Sequence, residues 1–237
     1  MKNLIENIAI NNQLKSLELN DGKLNPTLLY FENKDDFYIL IYSEYKNLLH
    51  QLELNESGDH LDLGINAYLD TIKEYSDTAS FNSRFIDFNL SCIIAIELDT
   101  FDNKDILKNI HKIEEDYKIA KKYILPYVNS DFELLHSKIE KISYENLNEK
   151  LNSLALQNSN VINDKEEMWY KLLMNLFIKL PFLNYHSSSF GLSPISELLE
   201  EELSEDEKNI LKIIEDNYSD SVDVESFISQ FKISDDE

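Results

Sequence analysis

Phe88-Asn-Leu-Ser-Cys-Ile-Ile-Ala-Ile-Glu-Leu98 is the most hydrophobic run of the chain, and Cys92 to Ile96 are apolar without a break. A strand with one wet face alternates apolar and polar side chains, whereas a run apolar at every position has to be covered on both faces. The segment therefore predicts a central strand between two layers. Toward the N-terminus, Leu61 to Tyr75 carries Leu63, Ala67, Leu69 and Ile72 at helical spacing. Further back, Thr27–Phe31 and Phe37–Tyr45 are rich in Tyr, Phe and Ile and are joined by five polar residues, Glu32 to Asp36. That pattern reads as a β-hairpin. Residues 1–19, with Leu4, Ile5, Ile8, Leu14 and Leu17, read as a helix closed by Asn20-Asp21-Gly22.

Toward the C-terminus the reading is helical. Leu107, Ile110, Ile113, Tyr117, Ala120 and Ile124 recur every three or four residues, and Glu114 and Lys118 are spaced for an i,i+4 pair. Pro126 marks a kink or stop. Phe132–Leu151 predicts another amphipathic helix and Asn152–Asp164 a loop. A buried helix follows through Trp169, Leu172, Leu173, Leu176 and Leu180, and Pro181 ends it. Strands first and helices afterwards predict an α+β class: a small, mainly antiparallel sheet from the N-terminal half, packed by several helices. The expected organisation is a core domain over residues 1–181, a linker over 182–194 and an acidic helical tail over 195–237. In that tail, Glu197 to Glu237 holds 15 acidic residues against three lysines, and Ser204 with Glu207 spaces as a capping box.

The 237 residues carry 22 Lys and Arg against 45 Asp and Glu, a formal net charge of −23. Binding a phosphate backbone depends on cationic side chains releasing counterions, so the isolated chain is not expected to hold nucleic acid or an anionic membrane surface. A single cysteine, Cys92, excludes an internal disulfide and a multi-thiolate zinc site and points to a reducing compartment. With no apolar stretch long enough to span a bilayer, the expected location is the cytoplasm. The four glycines are too dispersed for a phosphate-cradling loop, and the five histidines, His50, His60, His111, His136 and His186, show no metal spacing. No cofactor is expected.

One order of residues carries nuclease chemistry. Asp36 precedes a strand bearing Glu44-x-Lys46, the D…E-x-K order in which two carboxylates hold a metal and the lysine stabilises developing charge. Glu97 and Asp99, at the end of the hydrophobic strand, are a second possible pair for a divalent ion.

Three blocks together resemble a family: Leu28-Leu-Tyr-Phe-Glu followed by Asp36-Phe-Tyr-Ile-Leu-Ile, the strand Asn89 to Asp99, and Ile113-Glu-Glu-Asp-Tyr-Lys-Ile-Ala-Lys-Lys-Tyr-Ile-Leu-Pro-Tyr127. They are similar to the small middle components of bacterial ABC-three-component defence systems, which sit beside an SMC-like ABC ATPase and an effector, often a nuclease. The resemblance covers about residues 26 to 150. It implies a non-catalytic adaptor in anti-phage or anti-plasmid immunity, with the ATPase and the effector as partners. Candidate contact residues are Glu114, Lys118 and Lys121 on the third block and Glu200, Glu201, Glu202, Glu205 and Asp206 on the acidic tail. Two other classes remain at this point: an acidic DNA mimic that occupies a basic groove, and a metal-dependent nuclease using Asp36, Glu44 and Lys46.

Overall fold

The computed structural model describes residues 1–75, 78, 81, 86–143, 146–161, 167–186 and 204. The hydrophobic run is a central strand. Strands β1 (Lys15–Glu18), β2 (Thr27–Tyr30), β3 (Phe37–Glu44), β4 (Leu90–Leu98) and β5 (Lys121–Val128) form one sheet in the order β1-β2-β3-β4-β5. The expected hairpin is present, with Thr27 opposite Leu40 and Tyr30 opposite Phe37. The sheet is mixed: β1–β2 and β2–β3 are antiparallel, β3–β4 and β4–β5 parallel. The class is α+β.

Each inner strand divides its side chains by period two between two cores. Cys92, Ile94 and Ile96 of β4 join Phe37, Ile39 and Ile41 of β3 on one face. That face is covered by α2 (Tyr45–Gln51), α3 (Leu61–Lys73) and α5 (Lys104–Glu115). Ile93 and Ala95 join Tyr38, Leu40 and Leu125 on the other. There α1 (Lys2–Asn11), α6 (Asn129–Glu140), α7 (Leu147–Gln157) and α8 (Met168–Lys179) form the cover. A short α4 (Ile86–Asn89) leads into β4. Both parallel crossovers, β3 to β4 and β4 to β5, thus run over the α2–α3–α5 face. On the opposite face Thr27, fully buried, donates from Oγ1 to Glu6 Oε1 at 2.8 Å and ties β2 to α1.

Several expectations change. The first helix stops at Asn11, and Leu17 lies in β1. In α3 the buried face is Leu61, Ile65, Tyr68, Leu69 and Ile72, while Leu63 and Ala67 face water. The helix expected over Phe132–Leu151 is two helices, because Asn146 caps α7 by accepting from the Asn148 amide at 2.8 Å. Helix α7 then continues through residues expected to be loop, as far as Gln157.

The largest change is at the third block. Helix α5 ends at Glu115, and Lys121–Val128 is a strand. Ile113, Ala120 and Ile124 are buried as the helical reading requires, but Tyr117 is 73% exposed. The same spacing is met by a helix, a loop and a strand in succession. Tyr123-Ile-Leu-Pro-Tyr127 explains the outcome: aromatic and β-branched residues suit a pleated surface, and Pro126 is tolerated because β5 is an edge strand.

The body also extends past the expected boundary at 181. Phe182 and Leu183 are buried in the α1–α6–α7–α8 core. Asn152 holds the next residues, donating to the Asn184 carbonyl at 3.3 Å and accepting from the His186 amide at 2.7 Å. Residues Met1–His186 form one compact unit. The rest of the expected linker and the acidic tail lie outside the described residues, Ser204 excepted. Among the described residues no helix is long and apolar enough to cross a membrane.

Candidate interaction site

The nuclease order does not assemble. Asp36 sits just before the first residue of β3 and Glu44 is its last, so eight residues of extended chain hold them about 26 Å apart. Lys46 Nζ instead pairs with Asp99 Oδ2 at 2.7 Å, with both side chains largely in water. Glu97 turns to the other face of the sheet. Its Oε2 accepts from Tyr42 Oη at 3.1 Å and from Tyr127 Oη at 2.9 Å. Burial first, then the neighbouring Tyr42 and Glu97, push the Tyr127 phenol well above its ordinary value. Glu97 and Asp99 are therefore engaged by different partners. Among the described residues no three His, Cys, Asp or Glu side chains converge on a point that could hold a metal.

All five histidines are exposed. Cys92 is fully buried on β4, and burial pushes its thiol up to about 12, which keeps it protonated and a core residue.

The third block buries a charged side chain. Lys122 is 2% exposed, because in β5 its side chain points beneath the preceding loop. Its ammonium donates to the carbonyls of Asp116 at 2.6 Å, Lys118 at 2.8 Å and Ala120 at 3.2 Å. Three protons meet three acceptors, which satisfies the charge that burial strips of water. Desolvation still lowers the Lys122 pKa, against the opposing pull of Asp116. Asp116 fixes the loop from the other side. Its Oδ1 accepts from the Lys118 amide and its Oδ2 from Asn66 Nδ2 on α3, both at 2.8 Å. Those two bonds, the amide first, hold its carboxyl below the ordinary value.

Within this clamp the Ala120 amide donates to the Lys118 carbonyl at 2.7 Å, and Ile119, between them, has φ +66°. This is a three-residue γ-turn of the strained, left-handed kind, occupied by a β-branched residue. The loop turns Tyr117 and Ile119 outward, 73% and 36% exposed. Lys118 and Lys121 flank them in water, with Lys121 Nζ 4.8 Å from the Tyr123 ring centre. Of the sequence candidates, Lys118 and Lys121 are thus brought to one surface. Glu114 is not, since it forms an ion pair with Lys179 of α8 instead of Lys118. Glu200, Glu201, Glu202, Glu205 and Asp206 lie outside the described residues. Sequence reasoning missed Tyr117, Ile119 and Lys122. The available signal was Asp116-Tyr-Lys118, an Asx-turn pattern at which a helix is free to stop.

At the other end of α5 lies a cleft of about 530 Å³ lined by Tyr45, Lys46, Leu49, His50, Leu54, Glu56, Asn103 and Ile106. It shares Tyr45, Lys46, Asn103 and Ile106 with a neighbouring cleft of about 300 Å³, where Glu44, Glu97 and Asp99 collect at the carboxyl ends of β3 and β4. The larger cleft is walled by Leu49, Leu54 and Ile106 with Lys46, His50 and Glu56 at its polar positions, and the carboxylates gather in the smaller one.

No protein family, no curated protein and no solved structure matches the chain.

Proposed function

We propose that this chain is a non-catalytic adaptor of a bacterial anti-phage or anti-plasmid defence complex, joining an SMC-like ABC ATPase to an effector in the cytoplasm. The observation that supports it is the use made of the third block, the stretch in which the family resemblance is densest. There the chain spends a buried lysine, a carboxylate and a left-handed isoleucine on shaping a five-residue loop that turns Tyr117 and Ile119 to water. Such backbone strain persists only where surrounding structure enforces it, and it concentrates at sites that bind or switch. The divided D…E-x-K order weighs against the nuclease reading.

The test is reconstitution with the ATPase and effector encoded beside this chain in its host. Purified alone, the protein should neither hydrolyse ATP nor cut DNA with magnesium or manganese. Mixed with the ATPase and the effector, it should bridge them in one complex on gel filtration. Metal-dependent cleavage lost in Glu44→Ala and Lys46→Ala would replace the adaptor with the nuclease, and failure to bridge would remove the adaptor reading.

A further inference from the structure

We infer that the loop Asp116–Ala120 of one copy docks into the α2–α5 cleft of a second copy, so that this protein self-associates head to tail. The two surfaces are complementary in apolar character and in charge. The loop is a preformed knob: Tyr117 and Ile119 project, with the exposed Lys118 and Lys121 on either side. The cleft offers an apolar wall from Leu49, Leu54 and Ile106 and the carboxylate of Glu56, in a volume that accommodates a tyrosine side chain, and the adjoining cleft adds Glu44, while Lys46, which lines both, is already paired with Asp99. Neither lysine forms an ion pair with a carboxylate among the described residues, and neither does Glu44 or Glu56. A clamped loop also loses little conformational entropy on docking, which favours it as an anchor.

One copy cannot satisfy itself. Knob and cleft lie at opposite ends of α5, whose 12 residues span about 18 Å. The contact is therefore heterologous, and repetition gives a ring or an open chain of copies. The net charge of −23 opposes approach at long range. At about 0.15 M salt the screening length is about 8 Å, so the local pairing of lysines with glutamates decides once surfaces meet. The inference does not depend on the adaptor reading, and the test uses this chain alone.

The experiment is sedimentation velocity of the full chain at physiological ionic strength over a range of concentrations. Wild type should show concentration-dependent dimers and higher species. Tyr117→Ala removes the knob and Glu44→Lys/Glu56→Lys reverses the rim, and each should weaken association by about tenfold or more. The deciding arm is the equimolar mixture. Tyr117→Ala keeps an intact cleft and the Lys variant an intact knob, so together they should form a dimer and stop there. A wild type that stays monomeric up to about 1 mM, a thousandfold above a micromolar contact, overturns the inference. So do variants that associate as wild type does, or a mixture that forms no dimer. Circular dichroism of each variant separates lost docking from lost folding, and Tyr117→Phe, which keeps the ring, should retain association.

Discussion

The ammonium of Lys122 donates to the carbonyl of Lys118 at 2.8 Å, directly across the turn in which Ile119 holds φ +66°. The buried charge and the strained residue are two parts of one clamp. Lys122→Met keeps the stem but leaves three carbonyls, those of Asp116 and Lys118 partly buried and that of Ala120 buried, without their donor, and an unmet buried acceptor costs on the order of 1–3 kcal/mol unless the loop opens to water. The expected loss is about 2–4 kcal/mol in urea denaturation. Ile119→Gly should act the other way, because glycine adopts positive φ without the Cβ clash; a gain of up to about 1 kcal/mol is expected.

The carboxyl of Asp116 gives the same loop a pH dependence. Its folded pKa lies below the ordinary 3.8, chiefly through the Lys118 amide. Its contribution is therefore fully present above about pH 4 and is lost as pH falls through the lower folded value. Many other carboxylates titrate there, so the measurement is a difference. The urea midpoint of wild type minus that of Asp116→Asn should shrink from pH 5 to pH 3, and a constant difference would show that the carboxylate does not hold the loop.

Legibility divided by how local each signal was. Cys92 to Ile96 predicted a strand covered on both faces, and the structure puts Cys92, Ile94 and Ile96 in one core and Ile93 and Ala95 in the other. The hairpin and the Trp169 helix were equally plain. What failed was the third block, where Ile113, Ala120 and Ile124 fit a 3.6-residue period only because a loop of the right length separates a helix from a strand. The Lys122 clamp was invisible because a lysine in a run of lysines reads as a wet surface. Only the geometry of the preceding loop buries it.

Gly58 is fixed by the α2–α5 side of the sheet. Its φ is +70°, and a Cβ there would lie 2.2 Å from Tyr45 Oη and 3.2 Å from Asn109 Nδ2. The Asn109 amide also donates to the Ser57 carbonyl at 2.8 Å, so the contact cannot relax without loosening that bond. Gly58→Ala should therefore cost about 2–3 kcal/mol, combining left-handed strain with displacement of a buried phenol. The Tyr45→Phe background, which removes the crowded oxygen, should return part of that loss. If both backgrounds lose equally, backbone strain alone is responsible.

The boundary of the folded body is the last expectation to test. Sequence reading placed it at Pro181, where a proline ends the Trp169 helix. The structure carries it to His186 through side chains rather than through secondary structure: Phe182 packs on Tyr38 with ring centres 5.4 Å apart, Leu183 is 3% exposed, and Asn152 bonds both Asn184 and His186. Among the described residues, every buried apolar residue of the two cores lies between Met1 and Leu183. A chain ending at His186 keeps all of them and should fold with a single cooperative urea transition. A chain ending at Pro181 loses a buried phenylalanine and a buried leucine, at about 1.5–3 kcal/mol each, and leaves the buried Asn152 with two partners missing. Its expected deficit is about 3–6 kcal/mol against the longer form in urea. A proline after a helix marks where the helix stops, not where packing stops, and equal stability of the two chains would show that residues 182–186 merely lie against the core without holding it.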